Sequence, residues 1–490
     1  MAAPSEPLLK KVYHESCPGC KLDQKNEIQT GIPYKEFFYI WVVTLCSALP
    51  IQSLFPYLYF MIRDLHVAKQ EEDIGFFAGF VGAAYMCGRT LTAVLWGAVA
   101  DRYGRKPVIV ISILSVIIFN TLFGLSTSYW MAIVTRALLG LLCGLLGPIK
   151  AYASEVCRKE HQALGLSLVT SSRAIALVIG PAIGGFLSQP AEKYPSIFSQ
   201  ESLFGRFPYF LPCLCISLIA VGAFIACFWL PETLHMHHDK DVEDGSFEAL
   251  EASVGGRSDS EVISESTKGR GLASSKSLLK NWPLMSAITL YCVFSLHDTA
   301  YAEIFSLWAV SDKKYGGLSF SSQDVGLVLS ISGFGLLVYQ LLLYPLLVDR
   351  VGPIIPFRAA AVLAIPLLAC YPFMTNLSGI TLKIIVNIAS FLKNGFSATI
   401  IIACNILQNT AVTQEQRGVA NGISVTAMSI FKAIAPAGGG ILFSWSQKHE
   451  NSSFLPGDQM VFFILNVTAL VGLILTCKPF LTVPSTKSTS

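Results

Sequence analysis

Apolar residues along this chain gather in long runs, each bounded by charged or turn-forming clusters. A helix needs roughly 20 apolar residues to cross the hydrocarbon core of a bilayer. Runs of that kind predict spans at 37–62, 74–99, 107–126, 129–151, 163–188 and 207–231, and after a polar gap at 282–310, 324–348, 354–374, 380–408, 418–445 and 459–481. Glycine and proline inside such runs are compatible with spanning helices, because neighbouring helices satisfy the backbone they disturb. The pattern therefore predicts an all-α membrane protein with twelve transmembrane helices in two six-helix halves. The segments expected are an amino-terminal tail (1–36), a first bundle (37–231), a linker (232–280), a second bundle (281–482) and a short tail (483–490).

The two halves echo one another. Gly180-Pro-Ala-Ile-Gly-Gly185 returns, 255 residues later, as Ala435-Pro-Ala-Gly-Gly-Gly440. A second echo pairs the loop around Asp101-Arg102 with the one around Asp349-Arg350. Duplicated six-span halves suit alternating access, in which two bundles rock about a central site. A channel or receptor is a weaker fit.

Composition sharpens the picture. Of 490 residues 53% are hydrophobic and only 14% charged, against about a quarter charged in a soluble domain. A net charge of +3, with no long basic cluster, argues against nucleic acid as a partner. Most of the thirteen cysteines lie in apolar runs, where a thiol behaves as a small hydrophobe. Residues 1–35 hold no apolar stretch to serve as a signal peptide, so the first span is expected to insert uncleaved. With the linker set aside, thirteen Lys and Arg fall on the side of the amino terminus and seven on the other, which predicts both termini in the cytosol. The linker, rich in Ser, Gly and acids, has too little apolar surface to fold alone. No phosphate loop, H-E-x-x-H or G-x-S-x-G occurs, so an enzyme is not expected.

Particular motifs then point to a family. Gly97-x-x-x-Asp101-Arg102-x-Gly104-Arg105-Lys106 resembles the loop signature of the major facilitator superfamily, in which the Asp carboxylate caps a helix and pairs with Arg as a conformational latch. Asp349 and Arg350 form its degenerate counterpart, with Pro353 and Ile354 where the Arg-Lys pair would stand. Arg136-x-x-x-Gly140 resembles the fourth-span motif, and Gly180-Pro181-x-x-Gly184-Gly185 the fifth-span antiporter motif. More narrowly, Cys17-Pro-Gly-Cys20, Trp96-Gly97, Pro231-Glu-Thr-Leu-His235 and His297-Asp298-Thr-Ala-Tyr301 resemble the plant zinc-induced facilitator-like family over nearly the whole chain. That resemblance implies a major-facilitator fold and proton-coupled export of metal chelators such as nicotianamine or mugineic-acid phytosiderophores. Some members are tied instead to potassium and auxin. Two departures stand out: Ala176 replaces a glycine, and Arg173 occupies a position expected to be uncharged.

Ionisable residues inside spans are costly and mark function by default. The basic ones are Arg89, Arg136, Lys150, Arg173, Lys393 and Lys432, and the deep acids are Asp298 and Glu303. At 100° per residue, Arg136, Gly140, Gly147 and Lys150 fall on one face of the fourth span. Arg173 shares a face with Gly180 and Gly184, and Lys432 with Pro436 and Gly439; small residues on a face indicate packing against protein rather than lipid. Asp298 and Glu303 point about 140° apart, so one is expected to bind the proton and the other to hold a basic partner. Asp298, beside His297, is the favoured proton carrier, with Glu303 second and Arg136 as a partner in coupling. Structural alternatives stand beside these roles: Lys150 could snorkel from a helix end, and His297 could be a packing histidine. The excess of cations suits a cargo with several carboxylates, which Arg grips through paired hydrogen bonds, and would repel a bare divalent metal. In the tail, Cys17 and Cys20 have half of a zinc-site spacing, which His235, His237 and His238 could complete as a regulatory site.

The expected protein is a monomeric proton-coupled antiporter in the plasma or vacuolar membrane, working on a small-molecule substrate and protons in the lipid bilayer, and without a cofactor. The same fold carrying potassium, auxin or another solute, or a non-transporting sensor, is the alternative.

Overall fold

A computed structural model describes residues 13, 17–28, 31–158, 161–234, 278–412, 416–449 and 457–481. Helices occupy each of the twelve segments read as spans. A short α1 (Pro18–Ile28) precedes them. The first span is α2 (Tyr34–Gln52) followed by α3 (Leu58–Asp64). Pro50 lies within α2, and the helix stops three residues later at Ser53. The second is α4 (Ile74–Tyr103); the third runs from α5 (Arg105–Ser115) through a wide turn at Val116–Asn120 to α6 (Thr121–Gly124). The fourth is split into α7 (Tyr129–Leu142) and α8 (Leu146–Glu155). Then come α9 (Gln162–Leu187), two one-turn helices α10 (Pro190–Lys193) and α11 (Leu203–Arg206), and α12 (Phe210–Cys227).

The second half comprises α13 (Trp282–Val310), α14 (Ser322–Val338) continued by α15 (Tyr344–Val351), α16 (Ile354–Ala369), α17 (Gly379–Thr410), α18 (Arg417–Lys448) and α19 (Gly457–Leu475). Two of the starts are capped by side chains: Asn281 accepts from Leu284 N–H, and Ser321 and Asp324 form a reciprocal capping box. Among the described residues nine helices are long and apolar enough to cross a membrane. The other three differ for visible reasons. The first span is broken, α13 carries His297, Asp298 and Glu303, and α19 yields a shorter apolar stretch.

The halves meet along two seams, α4 on α18 and α9 on α14. Glycine sets their closeness. A Cβ on Gly79 would stand 2.5 Å from the Pro436 carbonyl, and one on Gly185 2.8 Å from Gly326 Cα. On the first seam the named contacts run from the Gly75–Phe443 level to a hydrogen bond from Thr90 Oγ1 to Ser429 O of 3.2 Å. The second runs from Ser188–Ser322 to Leu177–Gly333.

Core packing shows why these contacts gather at one end. Away from the amino terminus a single apolar core draws on both halves, joining Tyr57, Met61, Val81 and Phe123 to Trp308, Tyr371, Phe443 and Phe462. Toward the amino terminus each half keeps its own core: Ile40, Ile113, Tyr152 and Ile216 in one, Leu290, Phe357 and Cys404 in the other. The passage between the halves is thus sealed at the far end and open at the end nearest α1.

Candidate transport site

Four of the expected charged residues gather about the middle of the passage. Arg89 on α4, Lys150 on α8, Arg173 on α9 and Lys432 on α18 act on one another electrostatically, with Arg173 and Arg89 common to the set. Arg173 and Lys150 are exposed, while Arg89 and Lys432 are half-buried. None of the four has an ion-pair partner among the described residues. Like charges brought together repel one another, so this arrangement favours an anion between them.

The facing wall of the second half is different. Lys393 Nζ lies 2.8 Å from Asp298 Oδ1 and 3.8 Å from the centre of the Tyr301 ring. Lys393 is 1% exposed and the Asp298 side chain 33%, so the acid fronts the passage and the base sits behind it. Tyr301 and Tyr371 share a 2.7 Å hydroxyl hydrogen bond at their back. His297 is buried, and its Nε2 has no hydrogen-bond partner among the described residues.

Glu303 turns elsewhere. It is 2% exposed, and its Oε1 has no hydrogen-bond partner among the described residues. A Cβ built on Gly82 would stand 3.2 Å from its Oε2 and 3.2 Å from Pro436 Cβ. This acid of α13 therefore lies in the seam between α4 and α18, at a contact between the two halves. The structure gives the basic partner to Asp298, the acid favoured for the proton, and among the described residues none to Glu303.

Arg136 stands apart from the passage. It is 1% exposed, donates from Nη1 to the Pro50 carbonyl at 2.9 Å, and lies 4.1 Å over the Phe123 ring. Its Nε and Nη2 have no hydrogen-bond partner among the described residues. The expected single face of the fourth span does not form, because the helix breaks between Leu142 and Leu146. Gly140 packs on α4, where a Cβ would meet the Tyr85 carbonyl at 2.2 Å, whereas Gly147 has open space. The Gly144, Gly147 and Pro148 cluster was the overlooked signal.

Of the latch residues, Asp101, Gly104, Arg105 and Lys106 come together at the open end, with Glu155 and the first residues of the expected linker, Glu232 and Thr233. Arg105 pairs with Asp101 and, at 3.2 Å, with Glu155. Asp101 does not cap α5. Glu232 does, accepting from Arg105 N–H at 2.9 Å and Lys106 N–H at 3.0 Å. Gly104 is required here: its φ is +110°, and a Cβ would lie 2.5 Å from Glu232 Oε2. Thr233 Oγ1 donates to Glu155 at 2.6 Å and closes the network. Arg102 lies against Tyr103 and Gly97 faces open space. Asp349 and Arg350 at the matching corner form no ion pair among the described residues.

The fifth-span motif serves packing on two sides. Cβ atoms on Gly180 and Gly184 would strike Gln52 Cβ at 2.6 Å and the Ser53 carbonyl at 2.0 Å, where α2 ends, and Gly185 and Pro181 face Gly326. Ala176 is fully buried in the first-half core. Cys17 and Cys20 are buried. Gly19 N–H bonds the Leu234 carbonyl at 3.2 Å, and Arg158 Nη2 bonds the Glu27 carbonyl at 2.8 Å, so α1 is docked on the latch corner. His235, His237 and His238 lie outside the described residues, and among the described residues no group of three metal-ligating side chains forms.

The Major Facilitator Superfamily profile matches residues 40–436. A probable peptide/nitrate transporter of Arabidopsis thaliana is 58% identical, with 97% of each chain covered. The protein Zinc Induced Facilitator-Like 1 of Arabidopsis thaliana is 56% identical over 97% of this chain and 98% of that one. Among solved structures, a D-xylose–proton symporter superposes with a TM-score of 0.63 at 14% identity, over 93% of this chain and 98% of that one.

Proposed function

The chain belongs to the major facilitator superfamily, in its zinc-induced facilitator-like branch, and from that premise we propose that it is a proton-coupled antiporter exporting a small organic anion or zwitterionic metal chelator. As a member it is a multi-pass membrane transporter of small molecules and not an enzyme. The observation that carries the finer reading is the set of cations Arg89, Lys150 and Arg173, which form no ion pair among the described residues, with Lys432 between them and Asp298. A chelator of the nicotianamine or mugineic-acid type offers several carboxylates to such a set, and Arg holds a carboxylate by two parallel hydrogen bonds. A potassium ion would be repelled.

Both termini are placed in the cytosol by the basic-residue bias, so the open end faces the cytosol and receives cargo. Glu303 is assigned the proton, with Asp298 and His297 beside it on α13 and Arg136 supporting the neighbouring helix break. An ionised carboxylate without a partner opposes burial between Gly82 and Pro436, and the neutral acid does not. A proton taken up on the acidic side therefore lets the far end seal, and its loss to the cytosol loosens that seal once cargo has bound. Across either the plasma or the vacuolar membrane, two pH units supply roughly 2.7 kcal/mol per proton. Lys393 belongs to the same apparatus as the counter-charge of Asp298.

The test is uptake of nicotianamine and of a mugineic acid, with and without metal, into inverted vesicles carrying an imposed pH gradient. Concentrative uptake of either, dissipated by a protonophore, supports the reading. Uptake that ignores the gradient, or a passage that takes only cations, overturns it.

A further inference from the structure

Among the lysines at the far-end seal, two that nothing above uses follow the internal repeat. The shift of 255 residues that superposes the glycine motifs of the fifth and eleventh spans also carries Lys193 onto Lys448. Each follows, or ends, the fifth span of its own half, and each reaches into the other half. Lys193 Nζ donates to Gly185 O at 2.6 Å and Ser188 Oγ at 3.0 Å in its own half, and to Ser322 Oγ at 2.6 Å at the start of α14. Lys448 Nζ lies 2.5 Å from Asp73 Oδ1, just before α4. The residues at which they end begin the second span of the opposite half in both cases.

We propose that Lys193 and Lys448 are a pseudo-symmetric pair of bolts that hold the far end of the passage shut, each fastening the end of one half's fifth span to the start of the other half's second span.

The two bolts differ in chemistry. Ser188 and Ser322 are buried and bond each other at 3.1 Å, so the Lys193 ammonium is satisfied by neutral oxygens in a tight cage. Burial pushes this ammonium down to about 8, while the neighbouring Glu192 carboxylate pulls the other way. Such a bolt holds through hydrogen bonds to a charged donor, which are stronger than neutral ones. A cleft of about 450 Å³ lined by Arg63, Glu71, Glu192, Lys193 and Asp312 opens beside it, so water can reach the ammonium as the bolt draws. The Lys448–Asp73 pair is an ion pair with side chains 44% and 25% exposed, a setting in which such pairs contribute modestly. A duplicated chain has thus kept the position of the bolt and changed what it locks into.

The bolts concern the sealing equilibrium and not the cargo, so their test needs neither substrate nor gradient. Its failure would leave the transport assignment standing, and the reverse. The experiment is hydrogen–deuterium exchange of the full-length protein in lipid nanodiscs, read by mass spectrometry. Lys193→Met is expected to raise exchange about tenfold in the partner half's 320–326 turn as well as in 186–192. Lys448→Met, and Asp73→Asn from the receiving side, should raise exchange at 70–76 and 444–449 by up to about fivefold. Lys193→Arg should restore most of the protection. Should Lys193→Met fail to fold, Ser322→Ala carries the same test, with a rise of about threefold on both sides of the seam. Changes confined to the substituted residue's own half would make these lysines local anchors and overturn the proposal, as would rates equal to those of the wild type.

Discussion

The two walls of the passage follow different electrostatic plans. The first half contributes Arg89, Lys150 and Arg173, with no ion-pair partner for any of them among the described residues. The second contributes an acid already paired with a buried base, a buried histidine, and an acid lodged in the seam. A charge the fold already neutralises needs nothing from outside, whereas clustered charges of one sign are stable only with a counter-charge supplied. On the proposed reading, the first wall holds cargo and the second handles protons, with Lys432 on the border between them.

The largest effect that could break this division lies in the Asp298–Lys393 pair. Removing one partner of a buried ion pair costs roughly 3–5 kcal/mol. Thermal unfolding of the purified protein should show that loss for Asp298→Asn, and substantial recovery in the double variant Asp298→Asn with Lys393→Met. If Asp298→Asn keeps the wild-type stability and loses only pH-driven uptake, the pair is proton machinery and not a structural couple. An unaltered pH dependence in that variant would remove Asp298 from coupling.

Next in size is Glu303→Gln. A two-unit pH gradient can sustain accumulation of about a hundredfold for one proton per cargo. The variant should lose that accumulation while still exchanging labelled for unlabelled cargo at equal pH. Retained accumulation would return the proton to Asp298.

Arg173→Ala should raise the cargo KM about ten- to hundredfold, the loss expected for a charged hydrogen bond to a carboxylate, with the pH profile of exchange unmoved. A shifted profile with an unchanged KM would merge the two walls into one. Smallest is Lys432→Gln, for which a KM increase of roughly threefold is expected. Whether it moves KM or the pH profile decides which wall owns this residue.

The fold class was legible because hydrocarbon thickness imposes a minimum run length and the cost of ionic groups in lipid makes each intramembrane charge conspicuous. The angular separation of Asp298 and Glu303 could also be read, since both lie on one unbroken helix. The same arithmetic failed on the fourth span, where a break separates Arg136 from Lys150 and phase is not carried across it. Glu232 was visible within Pro231-Glu-Thr-Leu, yet its task depends on α5 starting beside it, 127 positions earlier in the chain.

By itself the sequence determined that this is a duplicated bundle of span-length helices with a cationic interior, because run length, repetition and residue charge are properties of the chain read in order. Only the tertiary structure decided which charges find partners: Lys393 for Asp298, Glu232 for the start of α5, Ser322 and Asp73 for the two lysines at the seal. Each of those pairings joins side chains from distant parts of the chain, and distances between helices are set by packing, through glycines such as Gly79 and Gly185 that let the halves approach.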